Sequence, residues 1–330
     1  MTDLSVPIVN SDGHSRGVWG WLQQLAVDRA AHAIWSVIVV LVLSVAATFP
    51  AVGLSLEFRD VALNICLAAD AISASFVFSA LRPDVRLARL FRALAELILI
   101  TYFGGALSYA ASTTTAPLWD STFEKWDSLL GFHWPALLAY YDANPTLNQW
   151  FTLAYNSMLP QIACVVVALA TVRDNRRIDA FILSFGLAAI FVMAIAAVTP
   201  AVCASVYYAE AMAGLNNIRP TTVHLPVLVA LRSGELTSVV MGQAKGLITF
   251  PSFHAVSAML FMISWWRIPY VRWPAIVVNL AMLAGTPIEG GHYLVDILAG
   301  IATALITYAA ARRIVDRDVI GSGPAIVSTG

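Results

Sequence analysis

Residues 33–54 read AIWSVIVVLVLSVAATFPAVGL, twenty-two in a row without a charged side chain. An α-helix rises about 1.5 Å per residue, so about twenty apolar residues cross the ~30 Å hydrocarbon core of a bilayer. The same reading recurs along the chain and gives eight expected spans: Ala33–Leu54, Val61–Leu81, Leu94–Ala111, Leu147–Thr171, Ala180–Thr199, Ile248–Trp266, Ala275–Ile288 and Tyr293–Ala311. Composition agrees. Of 330 residues, 59% are hydrophobic and 12% charged, and mean hydropathy is +0.76. Soluble domains carry about 25% charged residues. Half that proportion leaves too little polar surface to face water, so lipid is the expected solvent. The fold class that follows is all-α: a polytopic helical membrane protein with about eight transmembrane helices.

Basic residues orient these spans. With the N-terminus in the cytoplasm and sides alternating, the cytoplasmic segments hold Arg16, Arg29, Arg82, Arg86, Arg89, Arg92, Arg173, Arg176, Arg177, Arg267, Arg272, Arg312, Arg313 and Arg317. The opposite side holds Arg59, Lys125, Arg219, Arg232 and Lys245. Fourteen against five is a strong positive-inside bias, and it favours an even number of spans. Residues 1–32 then form a cytoplasmic segment without the pattern of a cleaved signal peptide. Residues 314–330 form a cytoplasmic tail, rich in Gly and Ser towards its end and expected to be disordered. Net charge is −1 and no basic stripe with interleaved aromatics occurs, so nucleic acid is not an expected partner. Cys66, Cys164 and Cys203 lie in different segments, which is neither a disulfide framework nor a metal cluster.

Two long segments, Ser112–Pro145 and Pro200–Gly246, face the outer side. Trp119, Trp126 and Trp134, with Phe123 and Leu130 between them, suit either a helix lying in the interface or a folded loop with a small core. Loops as long as the second are usually functional or disordered.

Chemistry concentrates where the sixth and eighth spans begin. The sixth opens with Ile248-Thr249-Phe250-Pro251-Ser252-Phe253-His254. Proline suits the first position of a helix, and Ser252 follows where free backbone N–H groups and the helix dipole can hold a phosphate. The eighth opens with Gly290-Gly291-His292-Tyr293-Leu294-Val295-Asp296. His292 and Asp296, four apart, share a helix face and can hydrogen-bond. Topology puts both helix starts on the outer side, so two histidines, a carboxylate and a helix N-terminus can meet. A single histidine there would more often be a satisfied interfacial residue. Two histidines with an aspartate shift the reading to catalysis, ahead of a three-ligand zinc site. Asp70 and Glu96 leave open a proton or ion path, although the paired broken helices of a transporter are not evident, and Glu96 can pair with Arg92.

Pro251-Ser252-Phe253-His254 resembles the second signature, PSxxH, of the type 2 phosphatidic acid phosphatase superfamily. His292 and Asp296, followed by Ile297-Leu298-Ala299-Gly300, resemble the end of its third signature, SRxxxxxHxxxD. The first signature, KxxxxxxRP, is absent: Arg82-Pro83 and Arg219-Pro220 have Ser75 and Met212 where the lysine belongs. Gly285 and Thr286 stand where the third signature should begin with Ser-Arg. A chain that keeps the histidines and the aspartate but lacks this cationic clamp is most similar to the inositol phosphorylceramide synthase-like, or inositolphosphotransferase, branch. Trp126-Asp127, Trp134-Pro135, Ala154-Tyr155-Asn156-Ser157 and Pro160-Gln161 add looser similarity to it.

The resemblance implies a six-helix catalytic core over residues 88–313, preceded by two accessory helices over 33–87. It also implies a phosphorylated lipid substrate, no metal and no cofactor, and a phosphohistidine mechanism. His292 would attack phosphorus, Asp296 would orient its ring, and His254 would serve as acid and then base. Ser252 and nearby N–H groups would hold the phosphoryl oxygens. Lys245 is the best replacement for the missing clamp, ahead of Arg219 and Arg232, and Asn156 and Tyr155 lie where they can reach substrate. Transfer to an alcohol is favoured over hydrolysis of phosphatidate or a polyprenyl phosphate. A bacterial inner membrane with a periplasmic site is the expected location, and oligomeric state is not legible.

Overall fold

The computed structural model describes residues 28–218 and 220–321. The N-terminal segment before Asp28, the end of the tail and Arg219 therefore lie outside the described residues. Helices stand at all eight expected places: α1 (Arg29–Ala51), α2 (Phe58–Phe76, extended by a π-turn over Val77–Leu81) and α3 (Val85–Ala111) come first. Two short helices follow, α4 (Asp120–Leu129) and α5 (Trp134–Ala143). Then come α6 (Pro145–Asn156), α7 (Met158–Thr171), α8 (Asn175–Val198), a short α9 (Leu225–Arg232), α10 (Phe253–Trp265), α11 (Arg272–Glu289) and α12 (Leu294–Gly321).

Five of these, α1, α2 with its extension, α3, α8 and α12, are long and apolar enough to cross a membrane, and α6 with α7 makes a sixth if the pair is one span. The all-α polytopic architecture is therefore as expected, with the eight apolar stretches differing in length and continuity. The expected fourth span is bent by 55° between α6 and α7. Pro160 explains the break, because it cannot donate to the carbonyl of Asn156 and its ring crowds that turn. The expected sixth span is only 13 residues as α10. The expected seventh, Ala275–Ile288, lies within α11, whose full length Arg272–Glu289 is not among the candidate spans. The last helix continues past the apolar stretch that ends at Ala311. α12 runs on to Gly321, supported by an i,i+4 ion pair between Arg312 and Asp316 at 2.9 Å.

The bundle packs around α8 and α10. α8 lies against α1, α3 and α12, and α10 against α7, α8, α11 and α12. Ile34, Leu41, Ile100, Leu169, Phe181, Phe185 and Phe261 fill the space between them. Of the two helices before the expected core, α1 is wedged among α3, α8 and α12, whereas α2 packs chiefly on α3. Asp70 lies exposed on α2.

One end of the bundle holds a buried charge cluster. Arg89 bonds Glu96 at 3.0 Å and also Asp179, while Arg92 reaches Glu96 at 3.4 Å and Asp28 at 3.2 Å. The expected Arg92–Glu96 pair is thus present, within a network that ties α3 to α8 and to the cap of α1. Arg177, Arg267 and Arg312 gather at the same end.

The other end carries a folded cap. Phe123, Trp134, Leu138, Tyr141, Ala201, Ile218, Ile288 and Tyr293 form a small core of their own. Phe123 and Trp134 are buried, so this region has the small core of a folded loop, while Trp126, Leu129 and Leu130 on α4 and its end stay exposed. The long second segment joins the cap. Its Ser238–Val239 pairs in parallel with Ser55–Leu56 between α1 and α2, and Met241 N–H donates to Asp60 at 2.8 Å.

Candidate active site

The site assembles where α10 and α12 begin side by side. Ser252 is the N-cap of α10, with its hydroxyl accepting from Ala255 N–H at 3.4 Å and its backbone N–H donating to the carbonyl of Asp296 at 3.0 Å. Pro251 therefore precedes the cap instead of opening the helix, which corrects its expected position. Gly300 permits the close crossing: a Cβ there would meet the Ser252 carbonyl at 2.5 Å.

The expected His292–Asp296 hydrogen bond forms, but not on one helix face: His292 lies two residues before α12, in the turn that leads into it. His292 Nδ1 lies 3.1 Å from Asp296 Oδ2, which also accepts the Tyr293 N–H at 2.9 Å. The opposite ring nitrogen, Nε2, lies 3.2 Å from Ser252 Oγ. Asp296 and Ser252 are fully buried and His292 nearly so. A carboxylate on Nδ1 fixes the tautomer that leaves the Nε2 lone pair available, and it stabilises positive charge on the ring.

A cavity of about 690 Å³ opens beside this pair. His254, His292, Tyr155, Asn156 and Lys245 all line it, so five of the seven residues expected from sequence reach one space. Ser252 and Asp296 sit behind His292, in contact with it. Tyr155 stacks on the His254 ring at 3.8 Å between centroids. A Cβ at Gly290 would lie 2.8 Å from Tyr155 Oη and 3.0 Å from His292 Nε2, so a bare glycine lets phenol and imidazole face the same spot. The far wall is apolar and includes Ile100, Leu159, Ile162, Phe185 and Met193.

Other expected residues are not brought in. Arg232 donates to the Ala116 carbonyl at 3.0 Å and does not line the cavity. Arg219 lies outside the described residues. Lys245 is the one Lys or Arg of the lining among the described residues, and its backbone N–H is held by Tyr109 Oη at 2.9 Å. Asn156 points its amide back to the Thr152 carbonyl at 2.9 Å. No three His, Cys, Asp or Glu side chains among the described residues converge as a metal-binding group.

Sequence reasoning missed the supports. Asp127 accepts the Leu294 and Val295 N–H groups at 2.8 and 2.9 Å, and so caps α12 from a position 167 residues away. Asp120 accepts the Tyr293 hydroxyl at 3.0 Å and the N–H groups of Val202 and Cys203. It ties together the cap, the second loop and the start of α12. His224 and Glu289 also line the cavity. Burial pushes the His224 imidazole below its usual pKa, a bond to the Val202 carbonyl works against this, and nearby His292 adds to the lowering.

These features have a known counterpart. Residues 121–310, more than half of the chain, match the PAP2 superfamily. The chain belongs to that superfamily, which makes it an integral-membrane protein of lipid phosphatase or phosphotransferase type, with a lipid as its class of substrate. The match runs from α4 to α12 and so covers the cap and both site helices. No curated protein and no solved structure matches the chain.

Proposed function

We propose that the protein is a lipid phosphotransferase that moves a phospho-head group from a phosphodiester lipid to an alcohol through a phosphohistidine. The observation that carries this reading is the orientation of His292. Its Nδ1 is held by Asp296, and its Nε2 faces Ser252 and a cavity shared with His254. In the first step Nε2 attacks phosphorus and the P–O bond to the leaving group breaks, with His254 donating a proton to the departing oxygen. In the second, His254 takes the proton of the incoming alcohol, whose oxygen attacks phosphorus and releases His292. Ser252 Oγ and the first N–H groups of α10 bind phosphoryl oxygens.

Charge favours the diester. A monoester dianion needs more compensation than a diester monoanion, and Lys245 is the single lining Lys or Arg among the described residues. Each missing charge-assisted hydrogen bond is worth roughly 1.5–3 kcal/mol, or about ten- to a hundredfold in rate when made only in the transition state. The branch similar to inositol phosphorylceramide synthases keeps the same residues without the clamp. Purified protein offered diester donors with an alcohol acceptor, in competition with phosphatidate and a polyprenyl phosphate, is expected to form the transferred product with the higher kcat/KM. Faster release of phosphate from the monoesters, with no alcohol product, would replace this reading by a simple lipid phosphatase.

We read the uneven distribution of basic residues as favouring a site on the outer face, and propose a bacterial inner membrane with a periplasmic site as its setting. In a chain freed of its native cysteines, Ser121→Cys and Ser233→Cys, both at exposed cap positions, are expected to label with an impermeant thiol reagent in intact cells. Arg176→Cys, at the arginine-rich end, is expected to label only after the membrane is opened. The reverse pattern places the site in the cytoplasm.

A further inference from the structure

Glu289 has no role in the steps above, yet it lines the same cavity as His254 and His292. It is the last residue of α11, where the negative end of the helix dipole opposes a carboxylate. Two donors hold it there. Its Oε1 accepts Thr152 Oγ1 at 2.6 Å and Asn148 Nδ2 at 3.3 Å. Oε2 accepts from no protein donor, and no Lys or Arg pairs with the group, among the described residues. Asn148, Thr152 and Tyr155 follow one face of α6 at helical spacing. The face that fixes Glu289 is thus the face that stacks on His254. A carboxylate held in place at an unfavourable helix end, unpaired and open to a phosphate-sized space, calls for a reason.

The geometry points to Glu289 as a charge filter, a specificity-determining residue that disfavours doubly charged phosphomonoesters relative to singly charged phosphodiesters. Repulsion scales with the product of the charges, so a dianion is penalised twice as much as a monoanion at the same place. Partial exclusion of water by the cavity wall strengthens that difference. With only Lys245 of opposite sign in the lining among the described residues, the second charge goes uncompensated. The preference for diesters rests on the function proposed above; the change in preference on removing the charge does not.

The test is Glu289→Gln, which keeps the volume and an amide oxygen for Thr152 and Asn148. Its kcat/KM for phosphatidate, divided by that for a diester donor, is expected to rise about tenfold over wild type. The rise is expected to be larger at pH 8 than at pH 6, because a monoester gains its second charge near pH 6. Inorganic phosphate is expected to bind about tenfold more tightly to the variant at pH 8, measured by calorimetry on the whole protein in detergent. Thr152→Val, which loosens the side chain but keeps its charge, is expected to leave the ratio where it was. If Glu289→Gln slows both substrates together, or leaves both the ratio and phosphate binding unchanged, Glu289 is structural and the filter is wrong. A wild-type preference for monoesters would refute the proposed function alone. The filter would then still stand on the direction of the change, and phosphate binding decides it even where neither substrate turns over.

Discussion

His292→Ala is expected to abolish turnover, by about ten-thousandfold or more, while the protein stays folded. The size follows from the role proposed for His292: without Nε2 no covalent intermediate would form, and the remaining groups would bind substrate without a nucleophile. The neighbours grade the effect. His254→Ala is expected to be nearly as severe, unless the leaving group is acidic enough to depart without a proton. Asp296→Asn is expected to keep a trace of activity, because an amide still contacts the ring but no longer stabilises its charge. Initial rates on the preferred lipid, with circular dichroism and elution volume as checks of folding, decide the matter. Ordinary rates in His292→Ala, or activity in all three variants governed by added divalent metal, would remove the phosphohistidine mechanism.

Arg89→Ala is expected to cost about 3–5 kcal/mol of stability. Arg89 is 6% exposed and bridges Glu96, which is 0% exposed, to Asp179. Removing the guanidinium leaves carboxylates facing each other with Arg92 as the remaining cation nearby. Thermal unfolding in detergent would report the loss. The double variant Arg89→Ala with Glu96→Gln is expected to recover part of it, since one of the stranded charges is gone. A loss below about 1 kcal/mol would mean the cluster is solvated and contributes as little as a surface pair.

How much of this could be read from the chain depended on the range of the contacts. Periodic or continuous signals survived best. The apolar runs located every long helix, because they depend on helix geometry alone; the spacing of His292 and Asp296 anticipated their hydrogen bond, but the bond is made by the turn that enters α12 and not by a shared helix face. The capping role of Ser252 was close to legible, although Pro251 fell one place outside the expected turn. Contacts set by tertiary packing were not legible. Asp127 looks like any loop acid until α4 is seen lying over the first turn of α12, and nothing near Asp179 in sequence announces Arg89. Glu289 was passed over for a related reason: beside two glycines at the end of an apolar run it reads as an interfacial charge. Only the α6 face, more than a hundred residues away, shows that it is held in the cavity.

The shortness of α10 has one more consequence. Thirteen residues rise about 20 Å, roughly two thirds of a hydrocarbon core, so α10 alone does not reach from one face to the other. Wherever the irregular backbone leading to Ser252 falls within the hydrocarbon, its unpaired peptide groups are tolerated only if protein encloses them or water reaches them. The cap encloses part of it, and the cavity of about 690 Å³ leaves room for many water molecules. Under the phosphotransfer proposed above, a phosphohistidine beside this cavity would be open to water as well as to an alcohol. The outcome of each turnover would then be a race between two nucleophiles, with transfer prevailing while the alcohol is bound before the donor's first product leaves. Leakage to hydrolysis would be a property of residence times, set by the walls that hold the acceptor, and not of dryness at the reacting phosphorus.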